Sequence, residues 1–600
     1  MRRFLLPLVA LGCSDYEVTV NGKTPTGDSA CDGGGLPDPY EVVVDPSCEQ
    51  EPDPGSFLPT VEWQWSASTG APGYDDVMMT PVVGDLDGDG VPEIVFTSYA
   101  ADAYGSAGAL HILSGSGGRE LAAFTSIGGY APVASAGVAL GEINGGAERE
   151  IVTITTDSRL IALHADGSVV WVSEPYPGDI SPYGYPAIGD LDADGLPEVV
   201  AGRVILDGNG ALVGKGIMGM GGSYSIPIIA DLDMDGLQEV VVGNAAYSKD
   251  GTAKWTNGNP DTWPAVADFD GDGDGEVVTS YSGSVYLADT DGTALWGPST
   301  IPGGGGGPPT VADFDGDGAP EIGVAGASAY TVFDTDGSIL WSMPTTDASS
   351  QQTGSSVFDF EGDGAYEVVY ADELSLWVYD GATGAVELQE DGHSSWTLFE
   401  YPVVADVDGD GEAEIVLASN NSINAGWQGI TVIGDATGSW APTAPVWNQH
   451  AYSITNVEDD LSIPASPTMN WLSGHNSFRA GGKRDLIGNP LADLFPVVQR
   501  ICGCDSDTAQ LVVQVENRGG RDVSDDLTVA VYSGGALLTV AGLPGGVPGG
   551  EASEALVIAV PTASIGKQLK VVVDDDGAGG GIVTECDEDN AVEEPTPECE

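Results

Sequence analysis

Basic residues are scarce in this chain: 18 Lys and Arg stand against 92 Asp and Glu in 600 residues, a formal charge of −74. So acidic a surface repels phosphate, which argues against nucleic acid or an anionic membrane surface as partner and favours cations and polar surfaces. After the N-terminus no stretch approaches the roughly 18 apolar residues of a spanning helix, so a membrane is reachable only through an anchor. No long segment carries helical periodicity. Cysteine is absent between Cys48 and Cys502, so the long central region cannot rest on disulfides or thiolate-bound metal. The five histidines (His111, His164, His393, His450 and His475) are scattered without metal-ligand spacing. With no GxSxG elbow and no P-loop, no catalytic residue and no nucleotide-cofactor site is assigned.

What is present is material for strands. Hydrophobic residues make up 42% of the chain, with 13 Trp and 20 Tyr, enough to fold despite the acidity. The 87 glycines punctuate short runs rich in Val, Ile, Tyr and Trp, and segments such as "LVVQVEN" and "KQLKVVV" alternate in period two. These features predict an all-β protein. The opening "MRRFLLPLVALGCSDYE" reads as an export signal over residues 1–12. It resembles a bacterial lipoprotein signal, which implies lipidation of Cys13 and a place in the cell envelope, on the outer membrane, tethered through lipid alone; plain secretion is the alternative. Setting Cys13 aside leaves six cysteines, Cys31, Cys48, Cys502, Cys504, Cys586 and Cys599, an even number that suits disulfides in an oxidising compartment. Local pairing of Cys31 with Cys48, and of the other four among themselves, is expected, though sequence alone leaves the connectivity open; zinc at "CGC" is disfavoured because no histidine lies near it.

The most informative pattern is a run of carboxylates between apolar stretches, "GDLDGDGVPEIV" from Gly84. It recurs six more times, as "GDLDADGLPEVV" from Gly189, "ADLDMDGLQEVV" from Ala230, "ADFDGDGDGEVV" from Ala267, "ADFDGDGAPEIG" from Ala312, "FDFEGDGAYEVV" from Phe358 and "ADVDGDGEAEIV" from Ala405. An eighth copy, "GEINGGAEREIV" from Gly141, offers Glu142, Asn144, Gly146 and Glu150 instead and is expected to have lost its ion. The mean spacing of about 46 residues is the length of a propeller blade. Oxygens at positions 1, 3 and 5 of a tight loop can converge on one point, the glycine at position 6 lets the chain reverse, and a carboxylate at position 9 closes the shell. An all-oxygen shell suits Ca²⁺ better than Mg²⁺, zinc or copper. About seven Ca²⁺ sites are therefore expected. Their ligands are Asp85, Asp87, Asp89 and Glu93; Asp190, Asp192, Asp194 and Glu198; Asp231, Asp233, Asp235 and Glu239; Asp268, Asp270, Asp272 and Glu276; Asp313, Asp315, Asp317 and Glu321; Asp359, Glu361, Asp363 and Glu367; and Asp406, Asp408, Asp410 and Glu414. A second turn follows each loop, as in "LHADGSVVW", "SKDGTAKW", "ADTDGTALW" and "FDTDGSILW", so each unit reads as four short antiparallel strands.

These units resemble the FG-GAP, or VCBS, repeats of integrin α-subunit heads and many bacterial surface proteins. The resemblance implies a β-propeller over residues 60–445, with Ca²⁺ held in the hairpin between the first two strands of a blade. Integrin loops usually carry Asp at position 9, where this chain has Glu. Seven or eight blades are possible, eight being favoured by the repeat count, and "VEWQW" near residue 62 could take part in closure. Residues 13–59, rich in Gly, Pro, Asp and Glu, read as a flexible tether. The non-repeating segment 446–485 is either a packing strap across the last blade, which is favoured, or a ligand surface built on its Trp, Asn, His and Arg residues. Residues 486–600 alternate as a small β-sandwich, and "VENRGGRDVSDDLTVAVYSGG" with "TECDEDNAVEE" resembles the immunoglobulin-like CARDB domain related to bacterial cell adhesion. There Asp574 to Asp576 read as an acidic turn, a further cation site being the alternative.

Function is accordingly expected to be binding: a monomeric, calcium-stabilised surface or adhesion protein whose propeller presents a face to a surface protein or polysaccharide. The rival is a propeller-type polysaccharide lyase or another extracellular carbohydrate-active enzyme, since paired carboxylates can serve sugar chemistry. Carboxylates repeated in this pattern are better explained by the ion they hold.

Overall fold

In the computed structural model each repeat becomes one antiparallel four-stranded sheet. The structure describes residues 57–482 apart from 102, 147, 221–223 and 473–474, and residues 492–577 apart from 522, 524–526, 566, 568 and 576, together with short pieces at 36–37, 39–40, 42–44, 48–50, 489–490, 583, 585–586 and 591–593. The export signal, Cys13, Cys31, Cys599 and much of the expected tether lie outside the described residues. No described helix is long and apolar enough to cross a membrane. The chain divides into two compact units, residues 46–491 and residues 1–45 with 492–600.

In the larger unit there are eight four-stranded sheets among the described residues. Blade 1 runs Val82–Gly84, Glu93–Ser98, Ala109–Ser114 and Glu120–Phe124, and blades 2 to 7 repeat that order, beginning at Val138, Ala187, Ile228, Trp263, Thr310 and Ser356. Blade 8 is assembled from both ends of the unit: Val403–Ala405, Glu414–Ser419 and Gly429–Asp435 are completed by Pro59–Trp65 as outermost strand. First strands of successive blades touch one another, and the core joins Val82 and Val83 of blade 1 to Val403 and Ala405 of blade 8, so the ring closes. First strands are buried along their length, whereas fourth strands such as Leu212–Lys215 are largely exposed. The apolar Val-Ile-Ala runs thus fall where both faces are covered.

The recurring "DG…W" turn joins neighbouring blades. Trp171 of blade 2 donates its indole N–H to the carbonyl of Gly208 in blade 3 (2.9 Å), Trp296 of blade 5 to Thr335 in blade 6 (2.8 Å), and Trp341 of blade 6 to Gly381 in blade 7 (2.5 Å). The ring also covers the turn glycine of that next blade: a Cβ on Gly210 would lie 2.6 Å from Trp171, and one on Gly337 2.9 Å from Trp296. Trp63 of the N-terminal strand takes the same place over Gly118 of blade 1, 2.3 Å from a built Cβ, so the "VEWQW" segment clasps blade 8 to blade 1.

Residues 444–481 run along the inner edges of the first strands, whose N–H and C=O groups would otherwise face an empty channel. Trp447 exchanges two 2.9 Å backbone bonds with Val83. Asn448 bonds Leu140 through its carbonyl and its side chain, and Gln449 accepts from the Ile188 N–H (2.7 Å). Asn470 donates to the Val266 carbonyl, Phe478 pairs with Val311, and the Gly481 N–H reaches Val357. Trp447, Asn448, His450 and Arg479 are fully buried. The side chains of Asn448, Gln449 and Asn470 and the backbone of Trp447, Phe478 and Gly481 thus engage the first strands of six blades.

In the smaller unit, one sheet of three strands (Leu494–Cys502, Thr508–Asn517, Leu556–Pro561) and one of four (Leu527–Ser533, Ala536–Leu543, Leu569–Val573, Ala591–Glu593) share a core that includes Leu494, Val513 and Ile558 with Val529, Val531 and Val571. Part of the expected tether is docked here: Tyr40 accepts from the Ala552 N–H, Val42 donates to Gly550, and the Tyr40 hydroxyl donates to Glu516 (2.6 Å). Cys502, Cys504 and Cys586 are disulfide-bonded, as is Cys48 in the larger unit, which leaves no thiolate at "CGC" for zinc. Asp574 accepts from the Val583 N–H, and Asp575 from the Tyr532 hydroxyl and the Gly577 N–H, so both act as hydrogen-bond acceptors of a turn.

Candidate metal centres

Every acidic loop joins the first and second strands of its blade, and strand register explains its spacing. The last residue of the first strand pairs with the position-9 glutamate that opens the second, as in Gly84↔Glu93, Gly189↔Glu198, Ala267↔Glu276 and Ala405↔Glu414. Position 9 therefore sits at the mouth of the hairpin, buried, and one of its oxygens accepts from the position-2 N–H: Leu86 to Glu93 (2.8 Å), Phe269 to Glu276 (2.7 Å), Phe314 to Glu321 (2.7 Å), Phe360 to Glu367 (3.0 Å) and Val407 to Glu414 (2.8 Å). At position 1, one aspartate oxygen accepts from the position-6 glycine, as Asp85 does from Gly90 (3.1 Å) and Asp313 from Gly318 (2.9 Å). Those glycines hold φ values of 89° and 92°, a conformation that a side chain would strain.

The oxygens left over converge. Asp85, Asp87 and Glu93 each place a carboxylate oxygen within 4.8 Å of the others, and so do Asp231, Asp233 and Glu239, Asp268, Asp270 and Glu276, and Asp313, Asp315 and Glu321; in the loop from Asp190 the trio is Asp190, Asp192 and Asp194. Position 5 differs, since one of its oxygens is committed to the position-7 N–H, as in Asp89 with Val91 and Asp317 with Ala319 (both 2.9 Å). Burial, with the neighbouring carboxylates, pushes the Glu93, Glu276 and Glu321 carboxyls up to about 8 and that of Glu367 to about 9. Oε1 of the fully buried Glu276 has no hydrogen-bond partner. A buried carboxylate oxygen facing two other carboxylates is costly unless a cation joins it, and a set of hard oxygens suits Ca²⁺. The donors fit the ion.

Three loops depart from this arrangement. In the second repeat the Asn144 amide donates to Glu150 (2.5 Å), while the Ile143 N–H holds the other Glu150 oxygen (3.0 Å), so an amide stands where the others collect carboxylates. In the loops from Asp190 and Asp231 a lysine enters the cluster, Lys249 and Lys254 respectively. Neither lysine carries any motif signal, and both were missed by the reading of the loops alone.

Among the histidines, His111 is buried between Ser98 (2.7 Å) and Glu120 (3.0 Å), His393 bonds Ser419 (2.8 Å), and His450 lies 3.2 Å from the Phe399 carbonyl. These three serve packing between strands and connections.

Fold and loops together define a β-propeller with acidic hairpin loops in its repeats. FG-GAP repeats are recognised in two stretches: an FG-GAP-like repeat profile matches residues 268–324 and an FG-GAP repeat profile residues 79–113. A comparison with curated proteins finds no match. Among solved structures, the V. cholerae biofilm matrix protein Bap1 is similar at 21% identity, with a TM-score of 0.66, over 72% of this chain and all of that one. The Dos1 propeller is similar at 12% identity (TM-score 0.37; 65% and 96% covered), as is the Neurospora crassa Pan2 WD40 domain at 12% (TM-score 0.34; 63% and 96%).

Proposed function

We propose that this chain is a calcium-stabilised adhesion protein of the bacterial envelope, held there by lipid on Cys13, in which an eight-bladed propeller and a CARDB-like sandwich act as binding modules for a polysaccharide or a surface protein. The observation that carries the binding role is an arc of aromatic side chains on the face opposite the acidic loops. Tyr99, Tyr104, Tyr183, Tyr224, Phe399 and Trp263 follow one another with ring centroids 4.4–6.3 Å apart, the first five on connections at the other end of the strands and Trp263 at the start of the first strand of blade 5. Trp396 and Trp427, 43% and 41% exposed, stand on the same face. Tyr99, Phe399 and Trp263 are buried and back the arc, while Tyr104, Tyr183 and Tyr224 are half-buried; partly open tyrosine rings with hydroxyls at the edge suit stacking on sugars. The similarity in fold to a biofilm matrix protein is consistent with an adhesive role.

Calcium has a structural part in this reading. Bound at the acidic loops, it neutralises the converging carboxylates and fixes the hairpins, while the opposite face is left to bind. A panel of neutral and acidic polysaccharides tests the proposal by retention on immobilised protein. Binding should weaken at least tenfold in a Trp396→Ala, Trp427→Ala double variant with an unchanged circular dichroism spectrum. Release of unsaturated sugars in the same panel would point to a lyase, and equal binding by the variant would move the ligand surface elsewhere.

A further inference from the structure

We propose that the loops 190–198 and 231–239 carry a lysine ammonium as their resident cation and do not load calcium. This rests on the calcium reading of the remaining loops and divides the seven acidic loops into two kinds. The Lys249 Nζ lies 2.7 Å from Asp192 Oδ2 and 2.8 Å from Glu198 Oε1. The Lys254 Nζ lies 2.9 Å from Asp233 Oδ2, 3.0 Å from Asp235 Oδ2 and 2.8 Å from Glu239 Oε1. These are oxygens of positions 3, 5 and 9, the ones an ion would take. An ammonium offers three N–H donors, and Lys254 directs one to each of three carboxylates. A divalent ion at about 2.3–2.6 Å from the same oxygens cannot share the space with an ammonium already in contact with them, and the two would repel.

The placement is selective. The chain has only seven lysines, and no Lys or Arg occurs from residue 255 to residue 478. Lys249 stands two residues before the glycine of its "DG…W" turn and Lys254 one residue before the tryptophan. In the other three "DG…W" turns the equivalent residues are neutral, Ala165, Thr290 and Thr335 in the first case and Val170, Leu295 and Leu340 in the second. The same two loops diverge at a second point. Position 4 is glycine with φ between 68° and 79° in the other five (Gly88, Gly271, Gly316, Gly362 and Gly409), but Ala193 and Met234 hold φ 57° and 53° here. Lys249 also reaches from blade 4 into the loop of blade 3, so its contact is a blade-to-blade staple. By contrast, Oε1 of Glu276 in the loop from Asp268 is buried without a partner.

Equilibrium dialysis of the full chain with metal analysis tests this. Wild type should bind no more than five Ca²⁺ per chain, and a Lys249→Met, Lys254→Met double variant, which keeps the apolar stems, should bind two more. Seven ions on wild type, or no gain in the variant, would overturn the inference. No ion on either protein would overturn the calcium reading with it, whereas ions gained only by the variant would support the inference and sink calcium at the other loops. Hydrogen exchange on wild type gives a readout that needs no variant. Chelation with EGTA should remove protection from 268–276 and 313–321 and leave 190–198 and 231–239 unchanged; equal loss in all four would overturn the proposal.

Discussion

Glu276 divides its two oxygens between a hydrogen bond that folds the loop and a cluster of carboxylates. Its Oε2 accepts from the Phe269 N–H at 2.7 Å, and its Oε1 is buried without a partner among the oxygens of Asp268 and Asp270. Glu276→Gln keeps an acceptor for Phe269 and removes the charge. In EGTA the variant should melt higher than wild type, because a carboxylate repelled by its neighbours is gone. In calcium it should melt lower and bind one ion fewer, since a site filled at a hundred times its Kd contributes about 2.7 kcal/mol. Paired melting curves with dialysis check this; a lower melting temperature in both conditions would make Glu276 a packing residue. At this scale the loops were legible in the sequence because all four oxygen positions fall within nine residues. The lysines were not, because Lys249 meets Asp192 across 57 positions and a lone lysine in an acidic chain reads as a solvated charge.

Blades are held to one another by backbone approach as much as by apolar burial. A Cβ on Gly208 would fall 1.7 Å from the carbonyl oxygen of Ile143, in the loop of the preceding blade, and one on Gly115 1.7 Å from that of Val407, across the seam between blades 8 and 1. Gly208→Ala should therefore cost about 1–3 kcal/mol or more as the blades are forced apart. Gly195→Ala is a suitable comparison. Its φ is 84° but nothing lies within 4 Å of the added carbon, so about 1–2 kcal/mol of backbone strain is all that is expected. Urea titrations should rank Gly208→Ala as the more damaging, and the reverse order would remove the close approach as the reason for the glycine. The strand–loop–strand unit was legible because repetition makes each copy vouch for the others. The course of residues 444–481 was not: their partners are inner-strand backbone groups in six blades, and backbone pairing leaves no period in an aperiodic segment.

Over the whole molecule, closure and charge decide stability. Removing residues 1–66 would leave blade 8 with three strands and Gly118 without the Trp63 ring, so the truncated chain should lose its cooperative melting transition; retention of one sharp transition would mean that the strap alone closes the ring. The sequence pointed to "VEWQW" as a possible closing segment through its composition, but strand pairing over more than 360 positions, as between Trp65 and Ile430, has no local signature.

The pH response sums over many loops. Burial and neighbouring carboxylates raise the folded-state carboxyls of Glu93, Glu276 and Glu321 to about 8 and Glu367 to about 9, against about 4.3 for glutamate in an unfolded chain. Between these limits the metal-free folded state binds more protons than the unfolded state, so its stability falls as pH rises. It is greatest below about pH 4.3 as far as these groups are concerned and is lost progressively toward pH 8 to 9. Calcium requires the same carboxylates ionised and so competes with those protons. In EGTA the melting temperature of the propeller should drop from pH 5 to pH 8, while the increment added by calcium should grow over the same interval. Scanning calorimetry at several pH values, with and without calcium, measures both trends. An increment independent of pH would mean that the buried glutamates are not what the ion displaces protons from, and the loops would then owe their acidity to something other than metal.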